Sequence, residues 1–472
     1  MEQGAPKRKD ANMVADVKGR LLLGDIAEMA RGVLYPSSAD RGAEIKTVTT
    51  DSRVKISSGI FVALVGEKFD GHDYIEKAFE NGAICALVEH LPEDSKYPVI
   101  LVSDTRKALG MIAKAFKDKL SPLTVAVTGS IGKTTTKEFI YAVLSEKYKT
   151  LKTEGNFNND IGLPMTLLGL SPENDAAVLE MGMSHFGEIE YLSSIASPNI
   201  AVITNIGRSH IENLGSREGI RDAKMEIRKG MPHDGILILN GDEPLLEDIN
   251  GALYVGQTNK YANYVIENVI EGENGCAFDL FVQGERVESI TIPALGRHNV
   301  MNAAFAYAVG LAAGMGEFEI RRGLMNFKNT GMRQRVYEAH GRTIIADCYN
   351  ASPESVKASL RVLSTLAERR SARAVAVLGD MKELGIYSPE AHIEVGREAA
   401  QSKVDLLFTV GELALDIAAS ASQSGLENIY AFADADYKDI AKAIMEKTVS
   451  GDVILFKASR AMAFEKIIEA LG

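Results

Sequence analysis

At 472 residues the chain is too long for one hydrophobic core and points to about three domains. Hydrophobic residues make up 46% and charged residues 25%, the balance of a globular protein and not of a disordered or fibrous one. The net charge of −12 disfavours wrapping nucleic acid or coating an anionic membrane, since either needs a basic face; a local basic cluster can still hold an anion.

Residues 1–20 are polar and charged, with Lys7-Arg8-Lys9-Asp10 and no apolar core. They read as a disordered leader and not as a secretion signal. No apolar run approaches the roughly eighteen residues of a membrane span. Cys85, Cys276 and Cys348 lie far apart, in neither a paired metal spacing nor a disulfide framework. The expectation is three buried thiols in a reducing cytoplasm.

Residues 21–120 form a first block of short strands and helices that ends at Ser121-Pro122. Strands are expected near Thr47–Arg53, Gly59–Val65, Ile84–Glu89 and Val99–Val102. Helices are expected over Tyr74–Asn81 and Lys107–Lys119.

The second block, residues 121–330, opens with the most informative stretch. An apolar strand, Leu123–Val127, runs into Thr128-Gly129-Ser130-Ile131-Gly132-Lys133-Thr134-Thr135, where a helix is expected to begin. Such a turn points backbone N–H groups at a phosphate and seats it on a helix N-terminus. Lys133 can then reach terminal phosphates and the Thr134 hydroxyl can ligate Mg²⁺. The full phosphate-loop pattern has a glycine where Val127 stands, so this is a shorter form. Strands at Ala176–Glu180, Ile200–Asn205 and Ile236–Asn240 alternate with helices near Phe186–Ile195 and Arg217–Gly230, the pattern of a parallel sheet. Residues 263–292 read as an antiparallel meander, and a helix is expected over Val300–Ala313.

Residues 331–472 alternate strand and helix, with strands at Thr343–Asp347, Ala374–Leu378, Leu406–Val410, Ile429–Phe432 and Val453–Phe456. This is a doubly wound, Rossmann-like pattern. The fold class is therefore α/β in three domains. An N-terminal α/β substrate domain precedes a central phosphate-loop ATPase domain, built on a parallel sheet with a small antiparallel part, and a C-terminal Rossmann-like domain follows.

In parallel sheets ligands collect at strand C-termini. Glu180 and Asn205 end two central strands, His210 follows the second, and Thr134 sits beside the first. A carboxylate, an imidazole and a hydroxyl near phosphates suit Mg²⁺. Lys224, amid Arg221, Asp222, Glu226 and Arg228, reads on local grounds as part of a solvated charged face. Asn299 and Asn302 share a helix face and are placed either to read a purine edge or, for Asn299, to cap the helix. Asp347-Cys-Tyr-Asn350, Gly379-Asp380-Met-Lys-Glu383 and Lys457-Ala-Ser-Arg460 occupy strand-end loops of the third block; three polar loops on one edge suggest a site, with turn chemistry as the alternative reading.

Together these segments resemble the Mur ligases of peptidoglycan synthesis. The resemblance runs from about residue 21 to 472 and rests on Thr50-Asp-Ser-Arg53, Gly66-Glu-Lys-Phe-Asp-Gly-His72, Thr153-Glu-Gly-Asn-Phe-Asn-Asn-Asp160, Glu180-Met-Gly-Met183, Gly296-Arg-His-Asn299, Asp347-Cys-Tyr-Asn350 and Lys457-Ala-Ser-Arg460. It implies an ADP-forming peptide ligase of the cytoplasm. Lys133 and the Gly129–Thr135 loop would bind ATP phosphates, with Thr134 and Glu180 on one Mg²⁺ and His210 serving a second. Lys224 would be N6-carboxylated and offer oxygens to that second ion. Asn299 and Asn302 would lie near adenine, and Arg333 and Asp347 would reach the nucleotide from the third domain. Ser52 and Arg53 would lie near the uridine nucleotide, and Asn350, Lys457 and Arg460 would face the incoming amine. Ile131 departs from the family, which usually carries Asn there.

The Asp347–Asn350 loop and Phe69-Asp-Gly-His72 favour the dipeptide-adding branch, which implies UDP-N-acetylmuramoyl-tripeptide and D-alanyl-D-alanine as substrates of a monomer. Rivals are a diaminopimelate- or lysine-adding ligase, a folylpolyglutamate synthase-like ligase, and a nucleotide-gated binding subunit without activity.

Overall fold

A computed structural model describes residues 14–92 and 96–471. Each block of the sequence builds one sheet. The first has six strands in the order Val14–Asp16, Thr47–Thr49, Gly59–Val62, Ala83–Val88, Val99–Leu101, Val33–Tyr35. Its four inner strands are parallel and both edges antiparallel. The edge strand Val14–Asp16 falls inside the expected disordered leader and corrects it. Ala15 points into the core at 4% exposure and Leu21 is fully buried, so the chain is anchored well before residue 21. Three residues are too few to show a period in sequence. Residues 1–13 of that leader lie outside the described residues.

The central sheet has nine strands. At its heart Leu123–Thr128 lies between Ile200–Ile203 and Ala176–Glu180, all parallel, with Ile200 opposite Val125 and Val127 opposite Glu180. These strands are almost wholly buried because both faces are covered, which is why they read as continuous apolar runs. The expected meander is present as Tyr264–Glu271, Cys276–Val282 and Glu285–Ile292. On one face lie the helices Lys133–Leu144 and Arg297–Ala312. The second of these is apolar all round, and Ala303 through Val309 are buried.

The third sheet runs Arg335–Ala339, Arg342–Ala346, Val453–Lys457, Ala374–Gly379, Leu406–Val410, Ile429–Phe432. It is parallel except for its first edge strand, which pairs with its neighbour as a hairpin.

One hydrophobic cluster runs from Ala15 through Phe116 into Leu163, Leu192 and Leu239, so the first and central parts share a core. The two clusters of the third part are its own. Across that boundary, the central Leu295 packs against a third-part core and Tyr387 of the third part packs against the shared core.

The helix expected over Arg217–Gly230 is α-helical over Arg217–Met225 and tightens to a 3₁₀ turn over Glu226–Gly230. Packing decides this: a Cβ on Gly230 would lie 2.1 Å from the Ser193 carbonyl, and Ser193 donates to the Ile227 carbonyl at 2.5 Å. Among the described residues no helix is long and apolar enough to cross a membrane.

Candidate active site

A cleft of about 1300 Å³ opens where the three parts meet, lined by residues as far apart as Arg106, Lys133 and Asn350. Its floor is the turn after Leu123–Thr128. Gly129 has φ +149°, and a Cβ there would sit 1.9 Å from the Thr204 hydroxyl. Gly132, at φ +79°, caps the helix Lys133–Leu144. Both positions need glycine. Asn205 pins the turn: its carbonyl accepts from Ser130 N–H at 3.1 Å, its side-chain oxygen accepts from Ile131 N–H at 3.0 Å, and its amide donates to the Ile131 carbonyl at 3.0 Å. Gly207 N–H donates to Ser130 Oγ at 2.8 Å. The loop is thus shaped through the backbone of Ile131, and these bonds do not involve its side chain. The N–H groups of the first helical turn have no intrahelical acceptor, and no acid stands in that turn to compete for them.

Lys133 donates to the carbonyls of Gly129 at 2.8 Å and Ser130 at 3.3 Å. Burial lowers its pKa, Glu180 opposes that and Arg333 adds to it. Thr134 donates to Glu180 Oε2 at 2.7 Å, while Asn158 donates to Oε1 at 2.7 Å. The carboxylate is buried at 2% exposure and fixed at both oxygens. Asn158 belongs to the loop after the short strand Thr150–Lys152, and Thr153 Oγ1 accepts from Glu180 N–H at 3.0 Å.

His210 lines the cleft with φ +63°, but its Nδ1 pairs with Glu383 of the third part at 2.8 Å. Lys224 overturns the solvated reading. It is 2% exposed, and its side chain has no hydrogen-bond or ion-pair partner among the described residues. Burial drives its pKa well below 10.5, and the charge of Lys133 pushes the same way.

Toward the third part, Asn302 accepts from Thr136 Oγ1 at 3.0 Å and donates to Asn299 Oδ1 at 3.0 Å. Asn299 does not cap its helix. It donates to the Leu295 carbonyl at 2.8 Å and to Gln334 at 2.9 Å. Asp347 accepts from Gln334 N–H at 3.2 Å and from Ser359 at 2.6 Å, and pairs with Lys457 at 2.9 Å. Lys457 also donates to the Asn350 carbonyl at 2.9 Å. Arg333 lies 4.1 Å over the Tyr349 ring. Arg460 lines the cleft and pairs with Glu465 at 2.6 Å. Half-buried His298 has its pKa pushed down to about 4 by burial, with Asp347 opposing.

Of the sequence-derived residues, the Ser130–Thr135 run, Glu180, His210, Asn299, Asn302, Arg333, Asp347, Asn350, Lys457 and Arg460 all line this cleft. Gly129 and Lys224 do not line it; Gly129 adjoins the lining Ser130, and Lys224 is within electrostatic reach of the lining Lys133. Ser52 and Arg53 do not line it. They sit in the loop after Thr47–Thr49, where Asn81 donates to the Ser52 carbonyl at 2.7 Å and Arg53 pairs with Asp51 at 2.7 Å. Sequence reasoning missed Gln334 and Ser359, and it placed Glu383 in a strand-end loop without giving it a role. It quoted the loop of Asn158 without giving that residue a role, although a polar loop at a strand end was the available signal.

The Mur ligase middle-domain family model matches residues 127–310, the Mur ligase glutamate ligase domain residues 332–460, and the Mur ligase family catalytic domain residues 44–117. The UDP-N-acetylmuramoyl-tripeptide–D-alanyl-D-alanine ligase of Bacillus subtilis is 43% identical over 95% of this chain and 97% of its own. A crystal structure of MurF from Acinetobacter baumannii superposes with a TM-score of 0.87 at 31% identity, covering 96% of this chain and 99% of that one. MurF from Thermotoga maritima, solved in complex with ADP, superposes at 0.80 and 31% identity over 90% and 96%.

Proposed function

The chain belongs to the Mur ligase family, and we propose that it uses ATP to join D-alanyl-D-alanine to UDP-N-acetylmuramoyl-tripeptide, releasing ADP and phosphate. One observation carries this best: the phosphate turn faces a single cleft to which the third part contributes the Asp347–Asn350 loop and the first part contributes Arg106. Three reactants can meet there. The ADP in the Thermotoga relative supports a nucleotide on the turn.

In this reading the N–H groups of the first helical turn hold the phosphates, and Lys133 leaves its loop carbonyls to reach the terminal ones. Asn299 and Asn302 lie beside adenine. Arg333 and Asp347 reach the nucleotide from the third part. The third-part loops with Asn350, Lys457 and Arg460 orient the dipeptide, and Ser52 and Arg53 lie toward the uridine nucleotide in the first part.

The donors present fit magnesium. Thr134 and Glu180 offer hard oxygens already in contact, and His210 offers a ring nitrogen. Lys224 fits only when N6-carboxylated: its neutral amine adds to CO₂, loses a proton and presents a carbamate. Two Mg²⁺ ions, when bound, neutralise charge that builds on the transferring phosphoryl group.

The tripeptide's terminal carboxylate attacks the γ-phosphorus in line, the bond to the bridging oxygen breaks, and ADP and an acyl phosphate form. The dipeptide amine then attacks the carbonyl carbon, loses its proton, and phosphate leaves with the carboxylate's oxygen. Excluding water from the acyl phosphate falls to the cleft walls. The charged substrates and buried thiols suit a cytoplasmic monomer that carries the whole site on one chain.

The test is isotopic. Tripeptide labelled with ¹⁸O in its terminal carboxylate should pass one label into each phosphate released. Unlabelled phosphate alongside normal product would rule the acyl phosphate out.

A further inference from the structure

The third part has its own cores, and its apolar ties to the rest are sparse, so polar contacts must set where it sits. They fall into two groups. One lies beside the connecting segment and includes Asn299 on Gln334 and Arg369 on the Glu271 carbonyl. The other centres on the loop after Ile200–Ile203. There Arg208 pairs with Glu354 at 2.9 Å and with Glu394 at 2.6 Å. Two residues on, His210 pairs with Glu383, and Glu212 lies against Gly385, whose Cβ would come within 2.8 Å of it.

Arg208 is three-quarters buried and splits its guanidinium between two carboxylates on two helices, Pro353–Arg370 and Ser388–Gln401. A lysine could not span both in this way. Glu354 stands in the first turn of the helix that follows the Asp347–Asn350 loop. Its second oxygen is buried without a partner beside Gly207 and Ser130. Gly207 N–H is bonded to Ser130 Oγ. A continuous path therefore joins the phosphate turn, Gly207, Arg208, Glu354 and the third-part loop.

We propose that Arg208 is a positioning residue: an ionic latch that ties the phosphate turn to the third part and fixes the Asp347–Asn350 loop over the cleft. The idea rests on the proposed reaction for its kinetic consequence but not for its structural one. Arg208 touches no reacting group. Its loss loosens the third part and leaves the phosphate turn formed.

Small-angle scattering of the ligand-free full chain, wild type against Arg208→Ala, tests the structural half. The variant should show a larger radius of gyration at low salt, and high salt should expand the wild type to match, because salt screens the pair. Steady-state kinetics test the other half. In Arg208→Ala, kcat/KM for D-alanyl-D-alanine should fall at least about tenfold, as misplacement by an ångström costs. Binding of a fluorescent ATP analogue should stay within about threefold. Glu394→Gln, which leaves Glu354 paired, should shift both readouts the same way by less. Arg208→Lys should restore part of the lost kcat/KM. An unchanged radius of gyration, or an unchanged kcat/KM for the dipeptide, in a folded Arg208→Ala overturns the latch. A wild type with no dipeptide turnover defeats the proposed reaction instead, and the scattering comparison then decides the latch alone.

Discussion

Lys224 is buried without a counter-ion within reach of the positive charge of Lys133, and both effects lower its pKa and favour the neutral amine. A neutral amine is the form that reacts with CO₂, so the burial that makes Lys224 an unfavourable ammonium makes it a good carbamate precursor. Lys224→Ala should lose most activity, of order a hundredfold or more. Acetate or formate entering the vacated space should restore part of it, while Lys224→Arg should not be rescued because it keeps a positive charge. Turnover of each variant against added carboxylate decides this. Full activity of Lys224→Ala without additive would return Lys224 to a packing role.

Lys133→Ala should lower turnover at least about a thousandfold. The side chain holds two loop carbonyls, whose loss costs roughly 1 kcal/mol, so the melting temperature should move by no more than about 4 °C. Near-normal turnover in a folded variant would remove the phosphate-turn assignment.

His298 gives a pH prediction. Its pKa drops from 6.5 to about 4 on folding, through burial. Between those values the unfolded chain binds more protons, so stability is present at neutral pH and is lost as pH falls through the window. Unfolding free energy should be on the order of 1–2 kcal/mol lower at pH 5 than at pH 7 on this account, and His298→Gln should remove that difference. Urea titrations at the two pH values measure it. An equal pH dependence in His298→Gln would show that the imidazole is free to protonate in the folded chain.

A chain truncated after residue 330 should still bind ATP weakly and make no product. The central and first parts keep their shared core, and most of the phosphate turn's contacts stay within them. Arg333, Asp347 and the Asn350 loop are lost. Product from the truncated chain would show the third part to be dispensable.

The elements legible in sequence were those with a local signature. Thr128–Thr135 announced itself through glycines between an apolar strand and a helix, and the meander over 264–292 through its turn glycines. Lys224 was illegible because its neighbours Arg221, Asp222 and Arg228 are charged, and nothing local says which side of that helix faces inward. Arg208 and Gln334, and the pairing of Glu383 with His210, owe their places to contacts between residues 35 to 186 apart, which no window along the chain reports. The strand Val14–Asp16 was hidden for the opposite reason: it is short, and its partner Thr47–Thr49 supplies the order.

The central claim is tested most directly by phosphate release from ATP, measured with UDP-N-acetylmuramoyl-tripeptide and a panel of acceptors. The account predicts ADP and phosphate in equal amounts when the tripeptide nucleotide and D-alanyl-D-alanine are both present, and little with either alone. Equal turnover with free lysine or meso-diaminopimelate in place of the dipeptide would contradict it.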